Sequence, residues 1–94
     1  MGSLPTKKTI TALISDLSNP KMLYASSGDG VLKSQDAGAS WQTMNTGLSE
    51  TEIVALALHP TQPSRLYAVT VHGVIFRSTD SAATWQRQGQ LPAQ

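Results

Sequence analysis

A chain of 94 residues with 39% apolar residues and a formal charge of +1 makes one small domain with a modest core, and it lacks the basic field that nucleic-acid binding demands. The absence of cysteine excludes a disulfide framework, a thiolate zinc site and a thiol nucleophile. No apolar run has the length of a signal peptide core or a membrane span, so neither nucleic acid nor membrane is an expected partner and the compartment stays open.

In chain order, residues 1–9 read as a leader ending in a loop, with 1–3 the remnant of cloning and Lys7 and Lys8 the densest basic spot. Runs rich in β-branched and aromatic residues then alternate with Gly, Pro, Asn, Asp and Ser, and no segment has a helical period. The first four runs are Ile10 to Ser15, Leu23 to Ser26, Val31 to Ser34 and Ser40 to Met44. The next four are Ile53 to Leu58, Leu66 to Thr70, Val74 to Ser78 and Thr84 to Gln88. The first run of each set is nearly all apolar, which predicts burial on both faces. Pro20 and Pro63 fall between first and second strands, where a missing backbone donor does no harm. "GDG" at Gly28 to Gly30 and "HG" at His72 and Gly73 supply positive-φ residues for tight hairpins.

These runs form one unit written twice. Ile10, Ala12, Leu13, Pro20, Leu23, Tyr24, Ala25, Gly30 and Val31 meet identical residues 43 positions later, from Ile53 to Val74. After one inserted residue, Ser34, Asp36, Trp41 and Gln42 meet Ser78, Asp80, Trp85 and Gln86 at a spacing of 44. The units span residues 10–47 and 48–89, and residues 90–94 open a truncated third register. Four strands per 43 or 44 residues, with an apolar first strand, is the pattern of a propeller blade, which needs a neighbour on each side. The expected fold is therefore all-β, with two four-stranded antiparallel blades per chain that complete a propeller by homo-oligomerisation.

The eight residues "SQDAGASW" (Ser34 to Trp41) and "STDSAATW" (Ser78 to Trp85) link the third and fourth strands of each unit. Asp36 and Asp80 are spaced to accept hydrogen bonds from backbone donors of the turn, and Gly38 provides a positive φ. Ser40 and Thr84 can tie the hydroxyl side, while Trp41 and Trp85 carry apolar area between sheets. Ala82 stands where Gly38 stands, which predicts strain or another turn type. Each motif offers one carboxylate, too few for a calcium loop, so no metal and no cofactor is expected.

The pattern Ser-x-Asp-x-Gly-x-Ser/Thr-Trp, with the preceding "LYA" at matching distance in both units, resembles the Asp-box or BNR repeat of sialidases, glycan-degrading propellers, sortilin-type receptors and photosystem assembly factors. The resemblance covers nearly the whole chain. It implies a structural turn on the rim away from the ligand face.

Catalytic residues of such propellers are not recognisable in this chain. Sialidase chemistry needs an arginine cluster, a tyrosine with a glutamate partner and an acid/base aspartate. Arg65, Arg77 and Arg87 all fall in the second unit, Tyr24 and Tyr67 occupy equivalent packing positions, and Glu50 and Glu52 are the only glutamates. His59 aligns with Asp16 as a turn residue, and His72 aligns with Asp29. The expectation is a non-catalytic module that self-assembles into a closed ring, a trimer of six blades ahead of a tetramer of eight. Its ligand face would collect Lys7, Lys8, Ser27, Asp29, Glu50, Glu52 and His72 for a protein or a glycan. The alternative is a fragment or relative of a carbohydrate-active propeller with weak glycan binding.

Overall fold

The computed structural model describes residues 8–90. Its elements are β1 (Ile10–Asp16), β2 (Asn19–Ser27), β3 (Gly30–Ser34), β4 (Gln42–Thr43), β5 (Ile53–Leu58), β6 (Leu66–Thr70), β7 (Val74–Ser78) and β8 (Gln86–Gln90). They form two four-stranded antiparallel sheets, ordered β1-β2-β3-β4 and β5-β6-β7-β8, so each repeat unit folds as one meandering blade. Lys7 and the registers at residues 1–7 and 91–94 lie outside the described residues.

The sheets pack face to face through a single apolar cluster. Blade 1 contributes Tyr24 and Val31, with Ala12, Ile14, Met22 and Met44 at its margin; blade 2 contributes Ile53, Leu56, Leu66, Ala68, Val74, Phe76, Ala82 and Trp85, with Leu48 and Leu58 at its margin. Pairing explains the choice. Tyr24 lies opposite Lys33 and Ser26 opposite Val31, so one pleat of blade 1 turns Tyr24, Val31 and Lys33 towards blade 2. Ala68 lies opposite Phe76 and Leu66 opposite Ser78, and that pleat turns back towards blade 1. Thr11, at a bulge in β1, adds a polar tie: its Oγ1 donates to Ile53 O at 2.8 Å and has only lone pairs left for Ser26 Oγ, also at 2.8 Å.

Four details depart from the sequence expectation. The first strands are not buried on both faces: β1 alternates, leaving Leu13 63% exposed, and Val54 of β5 is 45% exposed, because each faces a blade on one side only. The fourth strand of blade 1 shrinks to Gln42–Thr43, whereas that of blade 2 shifts to Gln86–Gln90. The inserted residue lies in the hairpin turn instead of after Val31. Ser27 pairs with Gly30 around a two-residue turn, while Val71, His72 and Gly73 separate β6 from β7, so the structural counterpart of Val31 is Ile75 and not Val74. In those turns Gly30 (φ 114) and Gly73 (φ 81) take the left-handed region and Gly28 does not.

Candidate binding face and motif loops

Both motif loops close in the same way. Ser34 Oγ donates to Asp36 Oδ1 at 2.8 Å and accepts from Gly38 N at 2.8 Å. Asp36 in turn accepts from Ser40 N at 2.8 Å and Ser40 Oγ at 2.5 Å. In blade 2 Ser78 Oγ donates to Asp80 Oδ1 at 2.9 Å and accepts from Ala82 N at 2.9 Å, and Asp80 accepts from Thr84 N at 2.9 Å and Thr84 Oγ1 at 2.6 Å. Hydrogen bonds to an ionised carboxylate favour the charged form. The Ser40 hydroxyl and backbone N–H, followed by Ser34, hold Asp36 at about 2, and the Thr84 hydroxyl and N–H lower Asp80.

The alanine in the second motif does not change the turn. Ala82 adopts φ 73 where Gly38 adopts φ 93, and it is fully buried against the blade interface, so its methyl packs in return for the strained backbone. The preceding residues, Ala37 and Ser81, are also left-handed, both at φ 59. That conformation aims their N–H groups at the chain leading into the second strand of each blade: Ala37 N donates to Lys21 O, in the first residues of β2, and Ser81 N to Ser64 O, just before β6, each at 2.9 Å. Nothing in the residue types of Ala37 and Ser81 marks a positive φ, and the twofold recurrence of the turn is what reveals it.

The two tryptophans differ in their surroundings. Trp85 is buried, its Nε1 donates to Met44 O at 2.9 Å, and its N donates to Thr46 O at 2.8 Å, which sews the end of blade 1 onto blade 2. Gly47 (φ 93) permits this approach, since a Cβ there would collide with Trp85 O. Trp41 corrects the expectation that both indoles pack between the sheets: it is half-buried, lies outside the inter-blade cluster, and its buried Nε1 has no hydrogen-bond partner.

At the opposite end of the blades the candidate ligand face assembles as two separate pairs. Lys8 Nζ stands 3.8 Å from Asp29 Oδ1, and His72 Nδ1 stands 3.1 Å from Glu50 Oε1. Asp29 and His72 are equivalent turn residues, and each meets a side chain from the segment that precedes the first strand of its own blade. Ser27 is buried under the first turn and accepts from Asp29 N at 3.0 Å, as Thr70 Oγ1 accepts from His72 N at 3.3 Å. Glu52 contributes its carbonyl, which accepts from Val71 N at 2.9 Å, and its side chain is exposed. Asn45 carries no cue beyond its place after the fourth strand, yet it supports this end: Oδ1 accepts from Val31 N at 2.9 Å and Nδ2 donates to Asp29 O at 2.8 Å. Gln90 does the same job in blade 2, with Nε2 donating to His72 O at 3.4 Å.

The remaining titratable residues fall into structural roles. Asp16 Oδ1 accepts from Ser18 N at 2.9 Å and Ser18 Oγ at 2.6 Å. His59, its repeat counterpart, uses Nδ1 to accept from Gln62 N at 3.1 Å and Thr61 N at 3.2 Å, as the turn reading expects. Between these two turns, on the motif rim, is a cleft of about 300 Å³ lined in part by Leu17, Leu58, Pro60 and Pro63. Among the described residues no three His, Cys, Asp or Glu side chains come together as a metal-holding group, and no helix is long and apolar enough to cross a membrane.

Comparison with known proteins agrees with this architecture. Residues 29–94 match the Sortilin-Vps10 family model, described as sortilin, neurotensin receptor 3. The vacuolar protein sorting/targeting protein 10 of Pyricularia oryzae (strain 70-15) is 36% identical over 67 residues, which is 69% of this chain and 4% of that protein. Among solved structures, an ancestral GH74 enzyme superposes with a TM-score of 0.77 at 23% identity over 85% of this chain and 10% of its own. YCF48 from Cyanidioschyzon merolae superposes at 0.74 and 19% identity, over 96% of this chain and 29% of its own. At these identities the solved structures establish a propeller-type fold, and the chain spans only a small part of each relative. With residues 29–94 on the family model and the fungal relative at 36% identity, the chain belongs to the Sortilin-Vps10 family.

Proposed function

We propose that the chain is a non-catalytic interaction module: two Asp-box blades that close into a propeller with further copies of the same chain and display the Lys8–Asp29 and Glu50–His72 end as a docking face for a protein. The observation that carries this reading is a contrast between equivalent residues. Tyr24 is completely buried by blade 2, whereas Tyr67, at the same place on blade 2, is half-buried. A blade face made to be covered is thus covered once and open once. The motif loops spend their polar atoms on one another, so they serve the turn and not a substrate. Three chains would supply six blades, which we favour over four chains and eight, because head-to-tail contacts close a ring when the rotation permits.

Sedimentation velocity across a range of concentrations tests the proposal. The 10.0 kDa chain is expected to sediment as a discrete species of about three times that mass. A single-chain mass at every concentration would overturn self-assembly. Release of product from sialoside or glucan substrates by the purified chain would overturn the non-catalytic reading.

A further inference from the structure

Among the described residues two charged side chains are more than nine-tenths buried, Lys33 and Asp16, each 8% exposed. Lys33 has a structural reason to be so: its Nζ crosses to blade 2 and donates to Ser81 O at 3.0 Å. Asp16 is only half accounted for. Ser18 N and Ser18 Oγ both donate to its Oδ1, at 2.9 and 2.6 Å, and no donor among the described residues reaches Oδ2. No cation pairs with it, since the ion pairs among the described residues are Lys8–Asp29 and His72–Glu50. A buried carboxylate with no cationic partner is costly.

The turn does not need that charge. In blade 2 the equivalent residue is His59, and an imidazole nitrogen does the same work: Nδ1 accepts from Gln62 N at 3.1 Å and Thr61 N at 3.2 Å, which leaves the ring proton on Nε2. Asp16 and His59 both line the cleft of about 300 Å³ between the two turns, and Leu17, Leu58, Pro60 and Pro63 give it apolar walls. Leu17 is 95% exposed, a large apolar side chain held in water beside an acid. The volume is at the lower end of the range for small-ligand sites, about 300–1,000 Å³. Both walls belong to this chain, so the cleft is complete whatever lies against the outer face of either blade.

We infer that this cleft is a binding site for a primary alkylammonium group, with the nitrogen donating to Asp16 Oδ2 and a short carbon chain lying against Leu17, Leu58 and Pro60. The donor set decides between cations. A guanidinium binds a carboxylate best through both oxygens, and Oδ1 already accepts twice from Ser18, so a point-charge ammonium suits the one oxygen left. A divalent metal ion needs several oxygen ligands, and no second carboxylate joins Asp16 among the described residues. The apolar walls take a chain of about four carbons, the length of a lysine stem. The ligand is therefore a free alkylamine or the side chain of a lysine in another polypeptide, which share this chemistry.

The test follows the backbone amide resonances of the 94-residue chain by NMR during titration with n-butylammonium chloride, with Nα-acetyl-lysine N-methylamide and, as the uncharged control, with n-butanol. At least one of the two amines is expected to shift the amides of Leu17, Ser18, Thr61 and Gln62 with a dissociation constant of about 1 mM, and n-butanol to bind about tenfold more weakly or not at all. Asp16→Asn keeps an oxygen for Ser18, removes the charge and is expected to weaken amine binding by about tenfold or more. Leu17→Ser, at a position too exposed to matter for folding, is expected to weaken it by roughly threefold and to leave the unfolding midpoint unchanged. Binding of n-butylammonium alone supports a free amine as the ligand; binding of the lysine derivative supports a lysine side chain. Equal binding of n-butanol and the amines, unweakened binding by folded Asp16→Asn, shifts confined to the Asp29 and Glu50 end, or no shifts up to about 20 mM amine would each overturn the assignment. If Asp16→Asn does not fold, Leu17→Ser and the n-butanol control decide.

Discussion

The same surface occurs twice in this molecule under two conditions. On blade 1, Tyr24, Val31 and Lys33 face blade 2 and are sealed; on blade 2, Tyr67, Ile75 and Arg77 face outward and remain half-exposed. The composition of the two faces is nearly the same, so exposure here reports what lies opposite and not what the residues prefer. One consequence is a buried Tyr24 hydroxyl, whose pKa burial raises against the opposing influence of the Ser81 side chain.

Truncating the two tyrosines breaks the comparison most strongly. Tyr24→Ala is expected to cost about 3–5 kcal/mol in urea unfolding, because it opens a cavity in the inter-blade cluster. Tyr67→Ala in the monomer is expected to cost about 1 kcal/mol. Equal losses would mean that the outer face of blade 2 is as well packed as the interface.

The two motif loops sharpen the comparison at a smaller scale. Gly38→Ala puts a Cβ on a residue at φ 93 and is expected to destabilise by about 1–2 kcal/mol, read by the same unfolding assay. Ala82→Gly relieves its backbone but removes a buried methyl worth about 0.8 kcal/mol, so a change of less than about 1 kcal/mol is expected. A large gain from Ala82→Gly would show that the second loop stores strain its packing does not offset.

The smallest effect comes from pH. Asp36 is held at about 2 and Asp80 is also lowered, so the folded state binds fewer protons than the unfolded chain between the ordinary carboxylate range and about pH 2. That part of the stability is fully present above the ordinary carboxylate pKa, 3.8, and is lost as pH falls towards about 2. The melting temperature of Asp36→Asn is accordingly expected to depend less on pH across this window than that of the parent. An unchanged pH profile would contradict the assignment of Asp36 as the ionised acceptor of its loop.

Repetition makes the fold legible in the sequence. β5, β6 and β7 begin and end where the apolar runs of the second unit do, because β-branched runs bounded by turn residues carry that information locally. Less local features were hidden. The position of the inserted residue depends on whether a hairpin closes with two or three residues, and both readings align Val31 with a valine or isoleucine. The bonds of Asp36 and Asp80 followed from spacing, whereas the crossing of Lys33 to Ser81 and the support of Asn45 under the Asp29 turn depend on which blade or strand lies opposite. A basic residue in an apolar strand reads as a surface residue until a neighbouring carbonyl is found at its tip.

The central claim is that the open face of blade 2 becomes a covered one by binding the same chain, and its most direct test is the unfolding midpoint as a function of protein concentration. Association of folded chains makes the midpoint concentration-dependent by mass action, so it should rise steadily from the lowest concentration to the highest. A midpoint that does not move over a thousandfold range of concentration would contradict the account.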